Sequence, residues 1–117
     1  DDYPTADGSC IRDYIHIMDL SNAHCRAINF LQETKSNKFF EAINIGTGHG
    51  VSVFNLITSF EETIGKKVRF KIGERRPGDV VIAYADTKKA KKILNWKSKY
   101  TLSDALYSAW NWEINKK

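Results

Sequence analysis

The apolar positions of this chain change period along its length, and each change marks an element. Leu20, Ala23, Ala27, Ile28 and Leu31 recur three and four residues apart, which predicts an amphipathic helix over about 19–32 with Asp19 as its N-cap. A second stripe of Val53, Leu56, Ile57, Phe60 and Ile64 predicts another helix. Ser52 stands where its N-cap belongs, and Gly65 where a left-handed residue would end it. Near the C-terminus, Thr101 with Asp104 three residues on forms a partial capping box. It precedes a helix whose Leu102, Ala105, Leu106, Ala109 and Trp110 share one face. Asp86 is placed to cap a short lysine-rich helix ending near Asn95.

Between these stripes the pattern tightens toward a period of two. Arg12 to Ile17 alternates weakly, Phe39 to Ile45 is apolar and rich in strand formers, Val68 to Ile72 alternates cleanly, and Val80 to Ala85 closes the set; all four are expected as strands. Residues 1–10 read as a loop, Glu33 to Lys38 as a polar exit loop, and Gly73 to Asp79 as a charged turn. Single strands alternate with helices, without repeats or an internal linker. The expectation is one α/β piece.

Composition narrows the function classes. At 117 residues, 42% hydrophobic and 27% charged, the chain has the make-up of a soluble globular domain. No apolar run approaches the ~20 residues that span a bilayer, so no membrane partner is expected. No basic-then-apolar stretch of a signal peptide opens it, and Asp1 in place of Met suggests processing or a piece of something longer. The net charge of +4 admits an anionic partner, yet aromatics do not alternate with the lysines as a base-stacking platform requires, so nucleic acid is not expected. Cys10 and Cys25 form no CxxC pair and no metal set with His16 and His24, and are taken as idle thiols.

Two motifs invite a functional reading and resist it. Gly46-Thr47-Gly48-His49-Gly50 runs from a predicted strand into a helix, the setting of a dinucleotide-binding turn. Its glycines are spaced G-x-G-x-G, however, with Val51 at the last expected glycine, which favours a plain tight turn. Tyr84 and Lys88 match Tyr-x-x-x-Lys, but Tyr84 closes a strand and Asp86 breaks into a helix between them, so the two side chains share no helical face.

The segments Arg12-Asp13-Tyr14-Ile15-His16 and Arg75-Arg76-Pro77-Gly78-Asp79 carry more information. Arginine holds phosphate through paired, permanently charged donors, and a nearby carboxylate accepts from sugar hydroxyls. Together they suit a diphosphate joined to a polyol. From the residues alone, loop arginines paired to local acids, such as Arg12 with Asp13, remain an equal reading.

A resemblance adds to this. Asp2-Tyr3-Pro4-Thr5, Asp7-Gly8, Ile11-Arg12-Asp13-Tyr14-Ile15-His16, Met18-Asp19-Leu20 and Ala23-His24 resemble the C-terminal region of UDP-glucose 4-epimerases. So do, in order, Asn44 to Gly48, Val51-Ser52-Val53, Arg75 to Asp79, Tyr84-Ala85-Asp86, Leu94-Asn95-Trp96 and Trp110-Asn111-Trp112. The likeness covers essentially the whole chain and roughly the last third of an extended short-chain dehydrogenase/reductase.

The resemblance implies an α/β fold that is mostly the smaller substrate-binding domain, residues 1–117. A strand and helix, about 14–45, would return to an N-terminal Rossmann domain that holds NAD. It implies an enzyme that removes hydride from C4 of a UDP-hexose, lets the 4-keto sugar swing about its diphosphate, and returns the hydride to the other face. Such a mechanism grips UDP firmly and the sugar loosely. Residue by residue, Arg12 and Arg76 match arginines on the diphosphate, Tyr14 an aromatic lining the nucleotide site, and Asp79 the acid on the uridine ribose. Ala83 matches a pocket-wall position that is bulky in some members, and its small size would admit an N-acetyl group at C2. The NAD turn, the catalytic Ser/Thr and the Tyr-x-x-x-Lys pair belong to the N-terminal part, so no catalytic or cofactor-binding residue is expected here. The chain alone would be inactive, and the intact enzyme a cytoplasmic homodimer. The alternatives are an epimerase for UDP-arabinose or UDP-glucuronate, and a stand-alone nucleotide-sugar-binding module.

Overall fold

The structure, a computed structural model, describes residues 2–34 and 39–116. Its centre is a three-stranded sheet of very short strands: β1 (Ile11–Arg12), β2 (Val51–Ser52) and β3 (Ile82–Ala83). β1 lies in the middle, antiparallel to β2 and parallel to β3, with Arg12 in register with Val51 on one side and Ala83 on the other. Helix α1 (Ile17–Glu33) follows β1 and α2 (Val53–Ile64) continues directly from β2. Beyond β3 come α3 (Lys88–Leu94) and α4 (Leu102–Asn115). Among the described residues no helix is long and apolar enough to cross a membrane.

Two packing layers result. In one, α1 lies on α3, and Ala23, Ala90, Leu94 and Trp96 form a small buried centre. Ile15, Ala27, Phe30, Ile43, Ile45 and Ile93 pack around it. Alanines at the contact let the two helix backbones approach, and Trp96, 1% exposed, fills the space left over. In the other layer α2 lies on α4, with Phe60 edge-on to Trp110 at 5.6 Å between ring centres.

Several helix ends are as expected. Ser52 caps α2, its Oγ accepting from Asn55 N at 3.1 Å, and Gly65 ends it at φ 71°. Thr101 and Asp104 form a complete capping box on α4. Asp19 is a correction. Helix α1 starts two residues earlier, capped by His16, whose Nδ1 accepts from Met18 N at 3.0 Å. Asp19, only 2% exposed, instead turns its carboxylate to the amides of Lys99 and Tyr100, at 2.9 and 3.0 Å. A buried carboxylate seeks the strongest set of donors in reach, and the loop before α4 supplies two. Likewise Thr87, not Asp86, occupies the cap position of α3, although Asp86 Oδ1 still accepts from Lys88 N at 3.0 Å.

The strands are the larger departure. Only Arg12 of the Arg12–Ile17 expectation, joined by Ile11 before it, and Ile82–Ala83 of Val80–Ala85 enter the sheet, while 39–45 and 68–72 lie in no strand. Part of the polar exit loop, 35–38, lies outside the described residues. Helix α1 is apolar on a second face as well, where Ile17, Ile28 and Leu31 are more than half exposed.

Candidate functional site

The site is built where β1 and the loop after residue 72 come together. Arg12 is at the end of the central strand, so two neighbouring strands fix its backbone. Its side chain reaches across to the 73–80 loop. Nη2 donates to Asp79 Oδ1 at 2.5 Å and to the carbonyl of Val80 at 2.8 Å, and Nη1 donates to the carbonyl of Ile11 at 2.7 Å. Arg12 therefore pairs with Asp79, 67 residues away, and not with its neighbour Asp13. Both partners keep about a quarter of their side-chain surface in solvent.

Asp13 has a different task. Its Oδ1 accepts from Thr47 N at 2.9 Å and Thr47 Oγ1 at 2.5 Å. Its Oδ2 accepts from Gly48 N at 3.1 Å and Ala85 N at 3.2 Å. One carboxylate thus ties the end of β1 to the Gly46–Gly50 turn and to the end of β3. Burial pushes this carboxyl upward, and the hydrogen bonds from Thr47, Ala85 and Gly48 outweigh it, holding it below its ordinary range. The turn also explains its glycines sterically: a Cβ on Gly46 would sit 2.4 Å from Asp13 Oδ2 and 2.6 Å from the Ala85 Cβ.

Around Arg12 and Asp79 lies an open cleft of about 350 Å3, which Tyr14 and Arg76 also line. Four of the five residues singled out from the sequence thus meet in one place. The fifth, Ala83, lies beside Arg12 in the parallel β1–β3 pair and is exposed, but does not line the cleft. Burial raises the Tyr14 hydroxyl above its ordinary value, so it stays protonated. Arg76 makes no ion pair among the described residues.

Sequence reasoning missed Tyr3, Asp2 and the role of Arg75. Tyr3 Oη donates to Asp79 Oδ2 at 2.7 Å, so the two oxygens of Asp79 are held by two different donors. The Tyr3 hydrogen bond foremost, aided by Arg12, keeps the Asp79 carboxyl below its ordinary range, and the same bond raises the Tyr3 hydroxyl. Arg75 stacks on the Tyr3 ring, 3.9 Å from its centre, and its Nε donates to Asp2 Oδ1 at 2.6 Å. The run Asp2-Tyr3-Pro4 was part of the family likeness, but no local pattern marks it as part of a site.

The arrangement suits a compact anion carrying hydroxyl groups. Three of the five N–H groups of Arg12 are committed, leaving two for a ligand, while Asp79 keeps free lone pairs for hydroxyl donors. The described lining residues carry Arg12, Arg75 and Arg76 against Asp2, Glu74 and Asp79, three charges of each sign. An anion placed here would be held by directed hydrogen bonds more than by net field.

The glycine-rich turn does not present a free pyrophosphate cradle. In the glycine-rich turn the amides of Thr47 and Gly48 are spent on Asp13 and that of His49 on Thr47 Oγ1, at 3.1 Å. A pyrophosphate would find those donors occupied. Tyr84 and Lys88 are likewise not paired on a helix, because Tyr84 precedes α3 and Lys88 begins it. Cys10 and Cys25 are unpaired, with Cys10 half-buried in the cleft wall and Cys25 exposed on α1.

Known proteins resemble this chain in sequence and in fold. The family model for GDP-mannose 4,6 dehydratase matches residues 1–108. The chain belongs to that family. It is similar to the bifunctional UDP-glucose 4-epimerase and UDP-xylose 4-epimerase 1 of Pisum sativum, 48% identical over 114 residues, which are 97% of this chain and 32% of that protein. It is also similar to two solved UDP-glucose 4-epimerases. One is from Stenotrophomonas maltophila with bound NAD and formylated UDP-arabinopyranose, with TM-score 0.89 and 42% identity over 97% of this chain and 33% of that one. The other is from Bifidobacterium longum in complex with NAD+ and UDP, with TM-score 0.89 and 40% identity over 99% and 33%. The chain thus spans about a third of the length of these relatives, matching their C-terminal region. Its fold is that of the C-terminal part of an extended short-chain dehydrogenase/reductase.

Proposed function

We propose that this chain is the C-terminal, substrate-holding part of a UDP-glucose 4-epimerase, and that its cleft grips the UDP moiety. One observation carries the reading: Arg12 and Arg76, distant in sequence, line the same cleft together with Asp79 and Tyr14. The two uncommitted N–H groups of Arg12 and the guanidinium of Arg76 clamp the diphosphate. Asp79 accepts from the ribose hydroxyls, and the Tyr14 ring walls the nucleotide. Binding energy spent on UDP leaves the hexose free to turn, which interconversion of UDP-glucose and UDP-galactose requires.

NAD, acting as hydride acceptor and donor at C4, belongs in this reading to a Rossmann domain preceding the chain, as do the catalytic side chains. That domain would also cover the second apolar face of α1, where Ile17, Ile28 and Leu31 are exposed. The intact enzyme is proposed to be a cytoplasmic homodimer.

The test has two arms. In the intact enzyme, Arg76→Ala should raise KM for UDP-glucose and weaken UDP binding about 10- to 100-fold, the loss of charge-assisted bonds to phosphate, with the fold unchanged by circular dichroism. Unaltered UDP affinity would refute the clamp. The isolated chain should show neither tight NAD binding nor turnover of UDP-glucose, and epimerase activity from it alone would refute the division of labour.

A further inference from the structure

The loop that carries Arg76 and Asp79 has little to hold it in place. Residues 71–80 are exposed throughout, and Gly78 turns at φ 79° with the amide of Asp79 bonded back to the carbonyl of Arg76 at 3.1 Å. A loop without a buried side chain takes its position from its polar attachments. One is Arg12, on the central strand. Among the described residues, the others come from the N-terminal segment.

We infer that Tyr3 and Arg75 are positioning residues, a clasp that sets Asp79 and Arg76 over the cleft for the nucleotide. The inference rests on the nucleotide-binding reading above. Tyr3 holds Oδ2 of Asp79 while Arg12 holds Oδ1, which fixes the carboxylate about its own bond axis and leaves its remaining lone pairs in defined directions. Arg75 closes the other end, lying on the Tyr3 ring with Nε on Asp2 Oδ1 and Nη2 on the Asp2 carbonyl. Arg76 sits between this stack and the turn at Gly78, so its backbone is fixed on both sides.

The clasp is itself anchored. The amide of Tyr3 donates to the carbonyl of Gly8 at 3.0 Å, which closes the N-terminal segment into a compact turn. Asp7 in that turn accepts from Ser9 N and Ser9 Oγ, and from Ser52 Oγ at 2.5 Å. Ser52 is the cap of α2 and pairs with Ile11 in the sheet. The sheet is thus tied to Asp7 by Ser52, Asp7 is joined by the chain to Gly8, Gly8 holds the Tyr3 amide, and the Tyr3 hydroxyl holds Asp79. Without it the loop would sample other positions, and the nucleotide would bind only the fraction in which Asp79 and Arg76 are aligned.

The experiment measures UDP affinity by calorimetry, with KM and kcat for UDP-glucose, on the intact enzyme. Tyr3→Phe keeps the ring and removes the hydroxyl, and should weaken UDP about tenfold with kcat within about twofold of wild type. Arg75→Ala should weaken it about threefold to fivefold, and Arg75→Lys should recover part of the loss, since lysine restores the charge but not the planar stack. In an Asp79→Ala background Tyr3→Phe should cost less than about twofold more, because its effect passes through that carboxylate. A full tenfold effect persisting in that background would overturn the positioning role. If Tyr3→Phe and both Arg75 variants bind UDP like wild type while Arg76→Ala does not, the clasp is wrong and the nucleotide reading stands. If Arg76→Ala also binds like wild type, the nucleotide reading itself falls. Should Tyr3→Phe fail to fold, Arg75→Ala gives the same decision.

Discussion

Replacing Asp13 by asparagine changes one atom and should loosen the whole approach to the cleft. Oδ1 serves the amide and hydroxyl of Thr47, and Oδ2 serves the amides of Gly48 and Ala85. An asparagine presents one oxygen and one NH2. Turned so that the NH2 faces Gly48 and Ala85, it sets a donor against two donors. Turned the other way it meets the Thr47 hydroxyl, which can rotate to accept, but leaves the Thr47 amide without an acceptor. The cheaper choice still orphans one partly buried N–H and strips the charge from the remaining bonds, a cost of about 2–3 kcal/mol. Nor can the turn relax inward, since Gly46 already lies against Asp13 and Ala85.

Hydrogen exchange on the intact protein reads this directly. In Asp13→Asn the amides of Thr47, Gly48 and Ala85 should exchange about 30- to 150-fold faster at neutral pH, the same free energy expressed as a rate. The pH dependence carries the sign. A carboxyl held below its unfolded value stabilises the fold fully above that value, near 3.8, and loses the effect as pH falls through its lower folded value. The gap in thermal stability between wild type and Asp13→Asn should therefore be constant from pH 7 to about 5 and close in stronger acid. Exchange within about threefold of wild type at pH 7 would show that the carboxylate does not hold the three segments together.

Two further substitutions probe the neighbouring ground. Gly50→Ala would place a methyl 2.4 Å from Cγ2 of Ile11 and 3.1 Å from the Tyr84 ring, and should lower stability by about 1–3 kcal/mol with a matching fall in the melting temperature; an unchanged melting temperature would refute the packing argument. Ala83→Tyr should leave turnover of UDP-glucose nearly intact while reducing that of UDP-GlcNAc about tenfold or more, measured as the ratio of kcat/KM values, and equal loss on both substrates would count against Ala83 as the wall beside C2.

Much of the fold was legible because local rules decide it. Ser52, Gly65 and the Thr101–Asp104 box end helices through contacts within three or four residues, and all three stand where the pattern put them. Arg12, Tyr14, Arg76 and Asp79 were singled out for another reason, the chemistry of their motifs and the resemblance that includes them, and the cleft brings the four together. Tyr3 and Asp13 were not legible. Their roles depend on partners 76 and more than 30 residues away, and nothing in a neighbouring residue announces which backbone amide or carboxylate will come within reach.

The strands make the same point more sharply. Val68 to Ile72 alternates as well as any segment in the chain, yet it joins no ladder, while Ile11–Arg12 and Val51–Ser52, with almost no period to read, form the central pair. Alternation describes which face a segment can bury; pairing is a relation to a second segment, which the pattern of one segment does not contain. Residues 39–45 illustrate the consequence. Ile43 and Ile45 pack on the Ala23–Trp96 centre, but Phe40 remains 94% exposed and the backbone pairs with nothing among the described residues. An apolar segment that packs Ile43 and Ile45 inward and leaves Phe40 in solvent has the composition of a sheet strand without its neighbours. The family resemblance implies those neighbours: residues of about 14–45 would return to the sheet of a preceding Rossmann domain, and 39–45 would be this chain's one strand in it.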